Sequence, residues 1–395
     1  MIQAALPCNV CQQPLAEPIY RAAPQSSLSS LRRAMDGTLE VFCCDACGHI
    51  QTAELCDNGS FYDTEYDILV NSEEEDQIYA VENGQKIFRA DHQVATFQRK
   101  LALQGALHEG ARVVDFGCAK SATMRLLKQQ RPDVNVHLFD ISDRYVGFWE
   151  KFLSPGQWAT YTIPPAWQRS FDVVSSFFSL EHIPDLTTAL RNIHGLLRDG
   201  GVLYAIVPNT FTNSVDFLVA DHVNHFTHTS LQTLLANHGF DLLEADAHSH
   251  RGAFVVTAVR RPGDSKVVPV LEAQALADTQ SAARKLAGFW QQASSHLTEF
   301  ETQHGSAPAV IYGAGFYGAY TASNLQQPHA LRAFVDQNPY LQGSSLAGKP
   351  VVALDSIPDE VEVVYLAVNP VIADEVRHTV EAAYPNRFRY FRFQP

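Results

Sequence analysis

No apolar run in the sequence approaches the roughly 20 residues that cross a bilayer as a helix, so a membrane-spanning segment is not expected. The opening, MIQAALPCNVC, lacks a basic stretch followed by an apolar one, and no secretory leader is expected there. Basic residues are scarce: 29 Lys and Arg stand against 43 Asp and Glu, and the formal charge of −14 repels phosphate backbones. A nucleic-acid partner is therefore disfavoured. Internal repeats and low-complexity tracts are also missing, which argues against a repeat architecture. With 46% apolar and 18% charged residues the chain has the makings of packed domains, and 395 residues suggest two or three of them. The expectation is a soluble, cytoplasmic, globular protein.

Seven cysteines are present, an odd number, and four of them sit in two close pairs. Cys8-Asn-Val-Cys11 and Cys44-Asp-Ala-Cys47 are C-x-x-C knuckles with thirty-two residues between them. Two residues between ligands let one tight turn supply two sulfurs, and zinc prefers tetrahedral thiolates. A structural zinc site of Cys8, Cys11, Cys44 and Cys47 is expected, closed by four thiolates and hence without catalytic chemistry. A redox dithiol is the alternative, although no thioredoxin-like strand precedes either pair. Cys43 is the alternative ligand to Cys44.

The pattern divides the chain into a zinc-binding domain at 1–60, a helical connector at 61–107, an α/β core at 108–262, a helical linker at 263–300 and a second α/β unit at 301–395. Both α/β units begin with a strand, a glycine loop and a helix, which predicts two Rossmann-like folds. In the first, ARVVDFGCAKSATMRLLKQQ places Asp115 at the end of a buried strand and Gly117 in the turn. A second strand, VHLFDIS, ends in Asp140, an acidic residue suited to the two hydroxyls of a ribose. The G-x-G-x-x-G of a dinucleotide-binding dehydrogenase is missing here.

The ordered runs D-F-G-C-A at 115–119, F-D-I-S at 139–142, F-D-V-V at 171–174, L-E-H-I-P-D at 180–185, L-L-R-D-G-G at 196–201 and V-P-N at 207–209 resemble class I S-adenosylmethionine-dependent methyltransferases. The resemblance implies a cofactor pocket built from Asp115, Gly117, Ala119, Asp140, Ile141 and His182. The family loop usually reads D-x-G-x-G-x-G; Ala119 and Ser121 stand at the later glycines. A non-catalytic protein built on a methyltransferase scaffold is the alternative that this departure motivates.

After V-P-N comes DFLVADHVNHFTHTSLQTLLANHGF, in which Asp221, His222 and His225 cluster. Methyl transfer needs an aligned nucleophile and often a base, and histidine suits that work near neutral pH. His222 is the expected base, oriented by Asp221. A metal site and a mere docking role for the next helix are the other readings of the cluster. In the second α/β unit, Gly313-Ala-Gly315-Phe-Tyr-Gly318 follows a strand and precedes a helix, a setting that can bring backbone amides against a phosphate. Asp336 ends the next strand and Asn338 follows it. A packing domain without a phosphate is the plainer alternative.

Zinc knuckles, a methyltransferase core and a glycine-loop tail in this order resemble the sugar C-methyltransferases of deoxysugar biosynthesis. The run Asp221-His222…Phe226 looks like that family's E-H-x-x-Y-F catalytic segment, with His225 at the tyrosine position. V-D-Q-N-P-Y-L-Q-G at 335–343 resembles its D-x-N-P-x-K-x-G, and Tyr66 is the nearest match to its substrate-facing tyrosine. The resemblance implies methylation of a carbon beside a keto group on a nucleotide-linked sugar, with His225 and Tyr66 as further catalytic candidates. Gly313, Gly315, Gly318, Asp336 and Asn338 would then hold the substrate nucleotide. An oxygen or nitrogen acceptor on a related small molecule is the alternative.

Overall fold

The computed structural model describes residues 6–22, 27–55, 75–82, 84–262, 267, 269–304 and 306–394. Strands β1 (Tyr20–Arg21), β2 (Glu40–Cys43) and β3 (Ile50–Thr52) form the N-terminal unit. A hairpin of β4 (Ile78–Glu82) and β5 (Gln85–Phe88) then leads into α1 (Arg89–Leu103). Among the described residues of the expected helical connector, the helix runs over Arg89–Leu103.

The core alternates β6 (Arg112–Phe116), α2 (Ala122–Gln130), β7 (Asn135–Asp140), α3 (Val146–Trp149), β8 (Trp158–Thr160), β9 (Phe171–Phe177), α4 (Leu186–Leu196) and β10 (Leu197–Pro208). Then follow β11 (Asn224–His225), α5 (His228–Asn237), β12 (Phe240–Asp246) and β13 (Ala253–Arg260). Seven strands make one sheet in the order β12-β13-β10-β9-β6-β7-β8. β6 pairs in parallel with both β7 and β9, and β13 runs antiparallel between β10 and β12. Val113, Val114, Val173 and Val174 are buried because helices cover both faces of such a sheet, which is why these strands read as continuous apolar runs. α4 shows the helical counterpart: the Asp185 side chain accepts from the Thr188 amide at its start, and Leu186, Leu190 and Ile193 recur on the buried face.

The strand order reverses beside β6, and ligands of such sheets bind outside the carboxyl ends of the strands at that reversal. Asp115, Gly117, Asp140 and Phe178 all fall there. This sheet is a Rossmann-like α/β fold.

A long helix, α6 (Ala273–His304), leads to the second α/β unit: β14 (Ala309–Tyr312), α7 (Phe316–Asn324), β15 (Leu331–Val335), β16 (Ser345–Leu346), β17 (Lys349–Val352), β18 (Val363–Leu366), α8 (Ala373–Ala383) and β19 (Arg389–Arg392). Its sheet order is β16-β17-β15-β14-β18-β19, with β14 parallel to both neighbours. No helix among the described residues is long and apolar enough to cross a membrane.

The units share their structure across the boundaries that the sequence suggests. β11, from the core, pairs antiparallel with β3 and completes the N-terminal sheet. Trp290 of α6 is fully buried, stacks edge-on to Tyr320, and donates from Nε1 to the Ser214 carbonyl at 2.8 Å.

Candidate functional site

A cavity of about 750 Å3 opens at the carboxyl ends of β6, β7 and β9. Asp115, Gly117, Ala119, Asp140, Ile141 and His182 all line it, as does His222. Gly117 must be glycine: its φ is +71°, and a Cβ there would sit 2.0 Å from Ser179 Oγ. The Asp140 carboxylate accepts from the Ala119 amide at 2.8 Å and from the Ser142 amide at 3.1 Å. Two amides leave further lone pairs on a carboxylate, so it retains capacity for hydroxyl donors. Burial lifts its pKa above the ordinary carboxylate value. Burial also pushes Asp115 up to about 7, against hydrogen bonds from Ser175 Oγ and Ser121 Oγ at 2.9 and 3.0 Å.

Ala119 and Ser121 have φ of +43° and +56°. The loop therefore keeps the left-handed turns that glycine adopts freely, with side chains that tolerate them less well. Ser121 gains the Asp115 bond in return. Ala119 gains no side-chain partner, and its carbonyl is fixed by Trp149 Nε1 at 2.8 Å. Phe178, also lining the cavity, is left-handed at +52°. A bulky residue in that region is held there by its surroundings, a pattern that gathers at functional sites.

The histidine cluster is arranged differently from the sequence expectation. Asp221 does not orient His222. Its carboxylate accepts from the Ser30 amide at 2.5 Å and the Ser30 hydroxyl at 2.7 Å, tying the N-terminal unit to the core. The acid behind His222 is Asp216, whose Oδ1 lies 2.6 Å from His222 Nδ1. Asp216 Oδ2 receives His225 Nδ1 at 2.9 Å and Thr210 Oγ1 at 2.6 Å. Burial opposes charge on His222, yet Asp216, with Glu181 and Asp221 nearby, outweighs it and raises His222 to about 9. Burial would lift Asp216, but His222 and His225 hold its carboxyl far below the usual range.

His225 is fully buried, with Nε2 2.9 Å from Thr52 Oγ1, and does not line the cavity. It sits in β11 as part of the joint between units, away from the position of a reacting group. His182 faces His222 edge-on at 4.6 Å, and burial pushes it down to about 4. Glu181 beside it is lifted by burial to about 8. Sequence reasoning missed Asp216, Glu181 and Ser30. The two acids in DFLVAD were visible signals, but their directions were not. Tyr66 lies outside the described residues.

The four cysteines of the N-terminal knuckles converge. Sγ of Cys8 and Cys47 are 3.7 Å apart, and those of Cys11 and Cys44 are 3.5 Å apart. All four ligand atoms lie within 4.8 Å of one another. A tetrahedral ion with bonds of about 2.3 Å to sulfur has edges of about 3.8 Å, so this donor set fits one. Cys43 is buried in β2 outside the group.

In the tail, Gly313 and Gly318 are packing glycines: a Cβ would lie 2.4 Å from the Ala367 carbonyl oxygen and 2.0 Å from that of Gly313, respectively. Gly315 precedes α7 and faces open space. Asp336 accepts from the amides of Ala314 and Asn338, both at 2.8 Å. Arg32 of the N-terminal unit donates to the Ala314 carbonyl at 2.7 Å. None of Gly313, Gly315, Gly318, Asp336 and Asn338 lines the large cavity.

Residues 88–245 match the family model described as Methyltransferase domain. The core is accordingly similar to methyltransferase domains over these residues. Among solved structures, an S-adenosylmethionine-dependent methyltransferase from Mesorhizobium loti is 17% identical, covers 42% of this chain and 100% of its own, and has a TM-score of 0.34. A methyltransferase of the same dependence from Methanosarcina mazei is 16% identical, with coverages of 41% and 98% and a TM-score of 0.33. The CMeT domain of the citrinin polyketide synthase is 18% identical, with coverages of 43% and 52% and a TM-score of 0.35. No curated protein matches the chain.

Relieving the backbone at Ala119 should stabilise the core. A left-handed alanine costs about 1–2 kcal/mol, and part of the relief is offset by the greater freedom of glycine in the unfolded chain. Ala119→Gly is expected to raise the unfolding free energy by about 0.5–1 kcal/mol, read as a higher urea midpoint. A lower midpoint would mean that the Ala119 methyl contributes more by packing than its backbone costs.

Proposed function

We propose that the protein transfers a methyl group from S-adenosylmethionine to a small polar metabolite, a nucleotide-linked keto sugar methylated at carbon. The observation that carries this reading is that His222, with Asp216 behind it, lines the same cavity as Asp140 and Gly117. The cofactor supplies an electrophilic methyl on a sulfonium. Asp140 would hold its ribose, Ile141 and Phe139 would cover the apolar face of the base, and Gly117 lets the amino-acid end approach the backbone. His222 is the proposed base for the proton beside the keto group, acting in its neutral form, whose share grows as the pH rises toward 9. An aspartate behind Nδ1 turns Nε2 toward the reacting side and stabilises the imidazolium that forms.

The tail loop is the proposed site for the substrate nucleotide. Gly315 and the start of α7 offer backbone amides to a diphosphate, and Asp336 and Asn338 stand beside them. Binding through a remote nucleotide would position the sugar for transfer. Gly313 and Gly318 serve this site by letting strand and helix pack closely. For Cys8, Cys11, Cys44 and Cys47 we propose one structural zinc ion.

Three outcomes test these assignments. Asp140→Ala should weaken binding of S-adenosylhomocysteine by about ten- to a hundredfold in calorimetry, the worth of a lost charge-assisted hydrogen bond; an unchanged dissociation constant would place the nucleoside elsewhere. His222→Gln should slow methyl transfer to a nucleotide-linked keto sugar, followed by product mass, by about 100- to 10,000-fold while leaving S-adenosylhomocysteine affinity in place. Transfer within a few fold of wild type would remove His222 as the base. Metal analysis should find one zinc per wild-type chain at the cysteines, and Cys44→Ser should lose it and destabilise the N-terminal unit, because the binding energy is also folding energy. Full retention of zinc by that variant would refute the ligand set.

A further inference from the structure

The cavity carries a second donor set, remote in sequence from the cysteine knuckles. One ligand atom each from Glu181, His182 and His222 lies within 4.8 Å of the other two, and all three residues line the cavity. Two histidines and one carboxylate form the set that binds divalent transition metals while leaving coordination positions open.

The hydrogen bonds behind the two rings point the same way. A carbonyl oxygen only accepts, so His182 Nδ1 carries the proton that meets the Asp221 carbonyl at 3.1 Å, and in the neutral ring the lone pair is on Nε2. His222 Nδ1 likewise donates to Asp216 Oδ1 at 2.6 Å, so an ion would bind through Nε2 and displace the proton that this ring otherwise holds up to about pH 9. A carbonyl or carboxylate on the far nitrogen is how metal-binding histidines are usually fixed in tautomer and direction. Glu181 supplies an independent sign. It is 1% exposed, and its Oε2 has no hydrogen-bond partner among the described residues. A buried carboxylate oxygen without a donor is costly and calls for a counterpart.

We propose that Glu181, His182 and His222 bind a divalent transition-metal ion on the wall of the cavity, with its remaining positions open to an oxygen of the methyl acceptor. Bonds of about 2.0–2.2 Å place neighbouring ligand atoms about 3–3.5 Å apart, so side-chain rotation closes the set around an ion. The site selects an acceptor with a keto or hydroxyl oxygen beside the methylated atom. The proposal rests on the reading of this cavity as the acceptor site. With the ion bound, His222 Nε2 would be a ligand, and the proton beside the keto group would go to a hydroxide on the ion, formed when coordination acidifies a bound water and its proton leaves to solvent.

The test uses the full chain with zinc on its cysteines and Mn2+ as the probe, since Mn2+ favours oxygen and nitrogen donors over thiolates. Loss of the free Mn2+ resonance signal on titration should show about one ion bound per chain. Glu181→Gln should weaken that binding at least about tenfold, and Asp216→Asn, which among the three proposed ligands touches His222, should weaken it by about ten- to a hundredfold. S-adenosylhomocysteine binding by Glu181→Gln, measured in parallel, separates loss of a ligand from loss of fold. No Mn2+ uptake by wild type, or equal uptake by wild type and a folded Glu181→Gln, overturns the metal site. Intact S-adenosylhomocysteine binding in that case leaves the methyltransferase reading standing. Mn2+ uptake without any binding of S-adenosylhomocysteine supports the metal site and overturns the methyltransferase reading.

Discussion

The Asp216 carboxylate is the buried charge around which the site is organised. At 1% exposure it is cut off from water, and an isolated carboxylate there would be too costly to keep ionised. Three donors satisfy it: Thr210 Oγ1 from just beyond β10, and the Nδ1 atoms of His222 and His225. One oxygen thereby aims a cavity histidine, and the other fixes a histidine in β11 that pairs with the N-terminal sheet. The same group couples the chemistry of the cavity to the docking of the cysteine-bearing unit.

The surrounding segment is correspondingly shared. Ser214 receives Trp290 of the long helix and contacts Tyr317 of the tail, at 2.8 and 3.0 Å. Phe217 packs on Tyr20 of the N-terminal unit. Asn224 donates to the carbonyls of Leu180 and Ile183, and its side-chain oxygen accepts from Asn9. The turn carrying Glu181 and His182 is thus pinned from the cysteine-knuckle side. The two α/β units also repeat one local device: an aspartate ending the second strand accepts the amide of an alanine in the preceding loop, Ala119 to Asp140 and Ala314 to Asp336, each at 2.8 Å. In the tail that loop keeps its glycines; in the core it holds alanine and serine in left-handed backbone instead.

The core was legible because parallel strands buried on both faces announce themselves as apolar runs, and because the D-F-G, F-D-I-S and L-E-H-I-P-D runs fix their order. The cysteine group was legible because metal geometry restricts spacing. The acid behind His222 was not. Asp221 is its chain neighbour, but in an irregular segment adjacent side chains diverge, and Asp221 turns to Ser30. Asp216 lies in a short 3-10 turn six residues back, and only the fold brings it within 2.6 Å. Strand β11 is two residues long, too short for any periodic signal, so the lending of a core strand to the N-terminal sheet could not be read. Glu181 was visible within its motif, but its isolation from donors is a property of burial alone.

The central claim is that cofactor and acceptor chemistry meet in one cavity, between Asp140 and the His222 that Asp216 holds. A crystal structure of the chain with S-adenosylhomocysteine tests it most directly. The account predicts the ribose hydroxyls on Asp140, the amino-acid end over Gly117, and the sulfur directed toward the His222 side of the cavity. A nucleoside bound elsewhere, or a sulfur facing away from His222, would contradict it.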